Sequence, residues 1–223
     1  NLVAGLHPPH SATFRNPYRE WIGAQIRADV FGYVAPGWPE KAAEFAYRDA
    51  ALSHVKNGVY GEMWVAAMLA AALCSDDLKT VLEVGLSEIP AQCRLAEAVR
   101  KTIAARETYS TWQEAWDALM GKYGGYHCVH TINNAVIVLL GLLYGETDLG
   151  KTVSIAVMGG LDTDCNGATA GSIIGAMLGA GNLPARWVEP LHDRVTSIVA
   201  GYNDNRISEL ARRTLQVALQ VCG

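Results

Sequence analysis

Asp162 and Asp164 stand one residue apart in the run Gly159-Gly160-Leu161-Asp162-Thr163-Asp164-Cys165-Asn166-Gly167. An Asp-x-Asp pair at a loop-to-helix junction aims several hard oxygen atoms at one point, the donor type that Mg²⁺ and Mn²⁺ prefer. The same residues have a plainer use. Asp is a favoured helix cap, and its charge is stabilised by the positive end of the helix dipole. Spacing alone leaves both readings open.

Other reactive side chains are scattered. His54 sits in Ser53-His54-Val55-Lys56-Asn57-Gly58-Val59-Tyr60-Gly61, where a helix is expected to end. A lone His there serves either a site or the negative end of the helix, and Asn57-Gly58 alone reads as a turn. Gly23-Ala24-Gln25-Ile26-Arg27 is a small-residue segment. It is either a loop whose backbone N–H groups approach a ligand or a glycine-containing helix start with a surface charge. His127 and His130 are three apart, a spacing that would share a helix face, but no third nitrogen or thiolate ligand accompanies them. Capping and core contacts are the expectation there.

The elements that would carry these residues are helices. Residues 1–20 read as irregular loop, and 21–33 as a short helix interrupted by Gly23 and Gly32. Pro39 opens a helix with small apolar residues at helical spacing. Gly58 and Gly61 bracket a turn into an Ala-rich helix from Glu62 to Leu73. Helices follow from Leu78, capped by Asp76 or Asp77, from Pro90 to about Ala105, and from Trp112, capped by Thr111. Asn133 to Tyr144 is almost continuously apolar, and Leu149 to Val157 precedes the Gly-Gly turn. Two last helices are expected over 189–200 and 205–221. Gly171, Gly175 and Gly179 share one face of the helix after Asp164. Each glycine costs ~1 kcal/mol relative to Ala in a helix, so the stripe implies a close-packed central helix. No segment alternates with period two, and the class is all-α, one compact multi-helix domain over 1–223.

Composition narrows the function. Half the residues are apolar and 18% are charged, with net charge −4 and no basic block. Binding to nucleic acid through phosphate neutralisation is not expected. The five cysteines form no C-x-x-C pair and are odd in number, which fits a reducing cytosol. The most apolar run, 63–74, falls well short of the ~20 residues of a membrane span, and no partner membrane is expected.

The segment Gly160-Leu161-Asp162-Thr163-Asp164-Cys165, continued by Ala168, Gly171 and Gly175-Ala176, resembles the C-terminal metal-binding signature of the ADP-ribosylglycohydrolase family, of the dinitrogenase-reductase-activating glycohydrolase type. The resemblance runs from about residue 21 to 181. It implies an all-helical hydrolase that uses two divalent cations, Mg²⁺ or Mn²⁺, to remove ADP-ribose from a modified protein or small molecule. It assigns Asp162 and Asp164 as metal ligands with a catalytic role and Asp164 as a bridging candidate. Cys165 falls where the family has a Thr ligand and is the third metal-site candidate, although thiolate matches Mg²⁺ poorly. His54 would reach the ADP-ribose, with Asn57 and Tyr60 beside it. Gly23, Gln25 and Arg27 resemble a diverged form of the family's substrate loop. Asn133 or Asn134 would lie beneath the metal site.

The family's N-terminal hallmarks, a Gly-x-x-x-Gly-Asp-x-x-Gly helix start and a Thr-Asp-Asp-Thr motif, are not among these residues. With the chain beginning at Asn1 rather than Met, the expectation is a fold whose N-terminal part is missing, with a separate chain as the candidate to supply it. The alternatives are a catalytically inactive ADP-ribose-binding or structural module, and a metal-dependent glycosidase acting on a non-nucleotide substrate.

Overall fold

A computed structural model describes residues 1–223. Twelve helices follow one another: α1 (His10–Thr13), α2 (Asp29–Tyr33), α3 (Pro39–Ala50), α4 (Asn57–Ala72), α5 (Leu78–Ser87), α6 (Arg94–Thr108), α7 (Trp112–Tyr123), α8 (Thr131–Tyr144), α9 (Leu149–Met158), α10 (Thr163–Leu178), α11 (Ala185–Val188) and α12 (Ile207–Cys222). A single small antiparallel pair, β1 (Arg194–Thr196) and β2 (Asp204–Arg206), sits before α12. The class is all-α.

Two helices make the centre. α4 buries 14 of its 16 residues and α8 buries 13 of its 14, so neither has a solvent face. A helix apolar all round must be surrounded, and α4 is, by α2, α3, α5, α8 and α10. α8 in turn packs on α6, α7, α9 and α10. The loop carrying residues 19–22 lies against the start of α8: the Ile22 amide donates to Val129 O at 2.8 Å and the Thr131 amide to Glu20 O at 3.1 Å.

Local signals place several boundaries. Thr111 and Glu114 form a reciprocal capping box at α7, Asp77 accepts from the Lys79 and Thr80 amides at α5, and Pro39 opens α3. Four expectations are corrected. Gly58 and Gly61 lie inside α4, not in a turn before it. They are small because other chain segments press on them: a β-carbon at 58 would come within 2.6 Å of Arg19 O, and one at 61 within 2.4 Å of Thr131 Oγ1. The helix expected from Pro90 begins at Arg94 instead, with Cys93 Sγ accepting from the Ala96 amide. Residues 21–33 hold only a 3₁₀ turn, Gln25–Arg27, and α2. The helix expected over 189–200 is replaced by a 3₁₀ turn at Glu189–Leu191 and by β1, whose pairing with β2 is a non-local event that local pattern does not encode.

The glycine stripe is also corrected. α10 packs closely on α9, but through Gly167 and Gly171. A β-carbon at 167 would lie 3.0 Å from Val157 Cγ2 and one at 171 would lie 3.3 Å from Val153 Cγ2. Gly175 has its nearest neighbour at 4.0 Å, and Gly179 is exposed at the helix end with φ +70°.

Candidate metal and ligand cleft

The Asp pair is set up from below. Asn134, buried in the first turn of α8, donates through Nδ2 to Cys128 O and His130 O, both at 2.8 Å. Its Oδ1 accepts from the Asp162 amide at 3.1 Å and from Asn166 Nδ2 at 2.8 Å. One side chain thus ties the N-terminus of α8 to that of α10. Trp116 Nε1 fastens the preceding turn by donating to Gly159 O at 2.9 Å. Between these anchors the chain turns sharply: Gly160 has φ +79° and Leu161 φ +61°. The left-handed region is costly for a residue with a side chain like Leu, of order 1–3 kcal/mol. Strain held between two anchors is what keeps Asp162 at its place.

Asp162 occupies the N-cap position of α10, yet its carboxylate accepts no capping hydrogen bond. The plain capping use of Asp162 is therefore not realised; its carboxylate instead takes a hydrogen bond from the Cys165 thiol. Donor atoms of Asp162, Asp164 and Cys165 lie within 4.8 Å of one another, with Asp164 exposed and the other two half-buried. Cys165 is a different kind of donor. Burial, a hydrogen bond to Asp162 and the two carboxylate charges push its thiol up to about 12. It stays protonated at neutral pH, and a neutral thiol is a poor ligand for a hard cation. The two carboxylates fit Mg²⁺ or Mn²⁺; the thiol does not add to that fit.

A cleft of about 390 Å³ opens beside this turn. Of the residues expected from sequence it brings together Gly23, His54, Asp162 and Cys165. His54 lies in the turn between α3 and α4 and is buried, and a β-carbon at position 23 would sit 3.7 Å from His54 Cε1 and Nε2. Burial, with the Arg27 charge nearby, lowers His54 to about 4, partly offset by Asp49. The imidazole is neutral at physiological pH.

The other expected residues, Asp164, Gln25, Arg27, Asn57 and Tyr60, do not line the cleft. Gln25 is fully buried, its Oε1 accepting from Thr131 Oγ1 at 2.7 Å and its Nε2 without a partner. Asn57 is buried in the first turn of α4, donating to Glu20 Oε2 at 2.7 Å and accepting from the Leu95 amide at 3.0 Å. Tyr60 is half-buried against the core. Arg27 turns away from the cleft to pair with Asp49. His130 takes the capping role expected of it, accepting from the Ile132 amide at the start of α8, whereas His127 is exposed ahead of that helix and stacks on Trp21 at 4.7 Å rather than on the core.

Asn16, Tyr18, Trp21 and Val129 line the cleft and escaped the sequence reading. Tyr18 and Trp21 rings lie 4.1 Å apart. The available signal was two aromatics flanking a small-residue segment, within a stretch whose irregular character hid its place in the fold.

The chain is all-helical and brings the Asp162 carboxylate, held at a rigid helix start, and the His54 imidazole onto the lining of one cleft. The sequence model of the ADP-ribosylglycohydrolase family matches residues 1–221, and the chain belongs to that family. The match extends well beyond the 21–181 stretch that carries the motifs. Searches of curated proteins and of solved structures found no match. The family is one of glycohydrolases that remove ADP-ribose. No helix of the chain is long and apolar enough to cross a membrane.

Proposed function

We propose that this chain forms the cleft of a divalent-cation-dependent hydrolase that releases ADP-ribose from a modified protein or small molecule. The observation that supports this best is the meeting of Gly23, His54 and Asp162 in one cleft, although they are more than 100 residues apart in sequence between His54 and Asp162. Asp162 and Asp164 would hold Mg²⁺ or Mn²⁺. A bound cation of this kind supplies charge stabilisation and activation of water at the scissile bond.

The chain's own residues do the rest. The Asn134 clamp fixes the direction of Asp162, and the strained turn keeps its carboxylate off the helix end. Gly23 presents backbone without a side chain to the ligand, and His54 faces it across the opening. Ile22 and Val129 supply apolar wall that limits water. Two carboxylates are fewer donors than a hard cation takes, so water, the ligand or a further polypeptide segment completes the coordination.

The test is release of ADP-ribose from ADP-ribosylated protein and from a small ADP-ribosyl conjugate, with Mg²⁺ or Mn²⁺ and after chelation. Cation-dependent release that Asp162→Ala abolishes is the expected result. Release that survives both chelation and that substitution would refute the cation role. Tight ADP-ribose binding with no cleavage of any conjugate would favour a binding module.

A further inference from the structure

Arg27 does not reach the cleft; its guanidinium is spent on the wall behind it. Nη1 donates to Gly23 O at 2.9 Å and Nη2 to Ser53 Oγ at 3.1 Å, while Nε pairs with Asp49. Glu62 Oε2 lies 4.0 Å from Nε, buried and without a hydrogen-bond partner. Ser53 Oγ is 2.8 Å from Nδ1 of His54. The donor count along this line favours one tautomer of His54. Arginine has only N–H groups to offer, so Ser53 Oγ accepts from it. With Arg27 on one side of the hydroxyl, the serine proton is directed to Nδ1, the protein acceptor within hydrogen-bond range of Oγ. An Nδ1 that accepts leaves the ring proton on Nε2, the nitrogen that sits at the cleft beside Gly23 and has no partner within the protein.

We propose that Arg27 and Ser53 are positioning residues that lock His54 as the Nε2–H tautomer, making it a neutral hydrogen-bond donor to an acceptor oxygen of the ADP-ribosyl group. The identity of that ligand rests on the function proposed above; the relay itself does not. The arrangement gives His54 a definite and restricted role. With no lone pair on Nε2 it does not act as a base toward anything bound in the cleft. It reads a ribose hydroxyl or a pyrophosphate oxygen, both of which accept. The low basicity of the ring, lowered by burial and by Arg27, keeps the second proton off near neutral pH. Arg27 has a second effect through the same fork: by holding Gly23 O it sets the distance between the small-residue segment and the imidazole.

The relay is read by long-range ¹H–¹⁵N correlation spectra of the ¹⁵N-labelled full chain without ligand, with His54→Gln identifying its signals among the six histidines. In the parent, His54 shows a pyridine-type Nδ1 and a pyrrole-type Nε2. Ser53→Ala moves both nitrogens toward the averaged shifts of mixed tautomers, and Ser53→Thr, which keeps the hydroxyl, restores the parent pattern. A pyrrole-type Nδ1 in the parent, or a Ser53→Ala pattern identical to it, overturns the proposal. In calorimetric titration with ADP-ribose, Ser53→Ala and Arg27→Lys weaken binding about tenfold and Ser53→Thr does not. A full loss of the tautomer preference with unchanged ADP-ribose affinity would overturn the ligand-reading role. A parent chain that fails to bind ADP-ribose defeats the functional reading, and the tautomer spectrum still decides the relay.

Discussion

The two walls of the cleft are built on opposite principles. On the α10 side the charges are unpaired with any cation: Asp162 at the cleft and Asp164 beside it form no ion pair, and rigidity comes from uncharged groups beneath them, Asn134, Trp116 and the close α9–α10 contact at Gly167. On the α3–α4 side the charges are paired off or buried. Arg27 is tied up with Asp49, Gly23 and Ser53, and burial and the Asp49 charge push Glu62 up to about 9, so that it is a neutral acid at physiological pH. Only the uncharged imidazole of His54 is presented. One wall suits a cation, the other a neutral or anionic oxygen. An ADP-ribosyl group held between them would meet both.

The sharpest difference between the walls is in their response to pH. Glu62 binds its proton far more tightly folded than unfolded, so the folded chain holds more protons between its ordinary range and about pH 9. Stability from this group is complete below its unfolded pKa and is lost as pH rises through that window. The stability of Glu62→Gln relative to the parent therefore improves steadily from about pH 5 to about pH 8, as read by urea titration at each pH. A pH-independent difference would mean that Glu62 is charged in the fold and the hidden-charge description is wrong.

The α10 wall breaks through its neutral supports. Asn134→Ala strands the Asp162 amide and Asn166 Nδ2 without their shared acceptor and removes two further bonds. A loss of about 2–4 kcal/mol is expected, since each buried polar group left unpaired costs roughly 1–3 kcal/mol. A loss below about 0.5 kcal/mol would show that the clamp is replaceable by water. Gly167→Leu forces a side chain into Val157 and is expected to cost about 1–3 kcal/mol by overpacking. Gly175→Ala is the contrasting case: the site has room, and helix propensity predicts a gain of up to ~1 kcal/mol. Equal effects at 167 and 175 in thermal melts would erase the distinction between the packed and the open end of α10.

These supports also mark what the sequence could and could not convey. Thr111, Asp77 and Pro39 announce helix starts because a cap acts on amides two or three residues away. Gly58 and Gly61 mislead for the opposite reason: they are small because Arg19 and Thr131, distant in the chain, press against α4. The glycine stripe was sound as a sign of close packing, but which of its members face α9 depends on how far α10 is rotated, and that is set by tertiary contacts. The Asp pair was legible as a motif. That its carboxylate leaves the helix end free was not, because that follows from the left-handed turn at Gly160 and Leu161 and from Asn134, 28 residues away. Arg27 was expected at the ligand; its acid partners Asp49 and Glu62, on two other helices, draw it behind the wall instead.

The central claim is that the two walls act on one ligand. It is tested most directly by titrating ADP-ribose, with Mn²⁺ present, into the full chain and into Asp162→Ala, His54→Ala and the double variant. Each single substitution is predicted to weaken binding at least about tenfold, with a combined effect that departs from the sum because both walls hold the same molecule. An ADP-ribose affinity unchanged by either substitution would contradict the account.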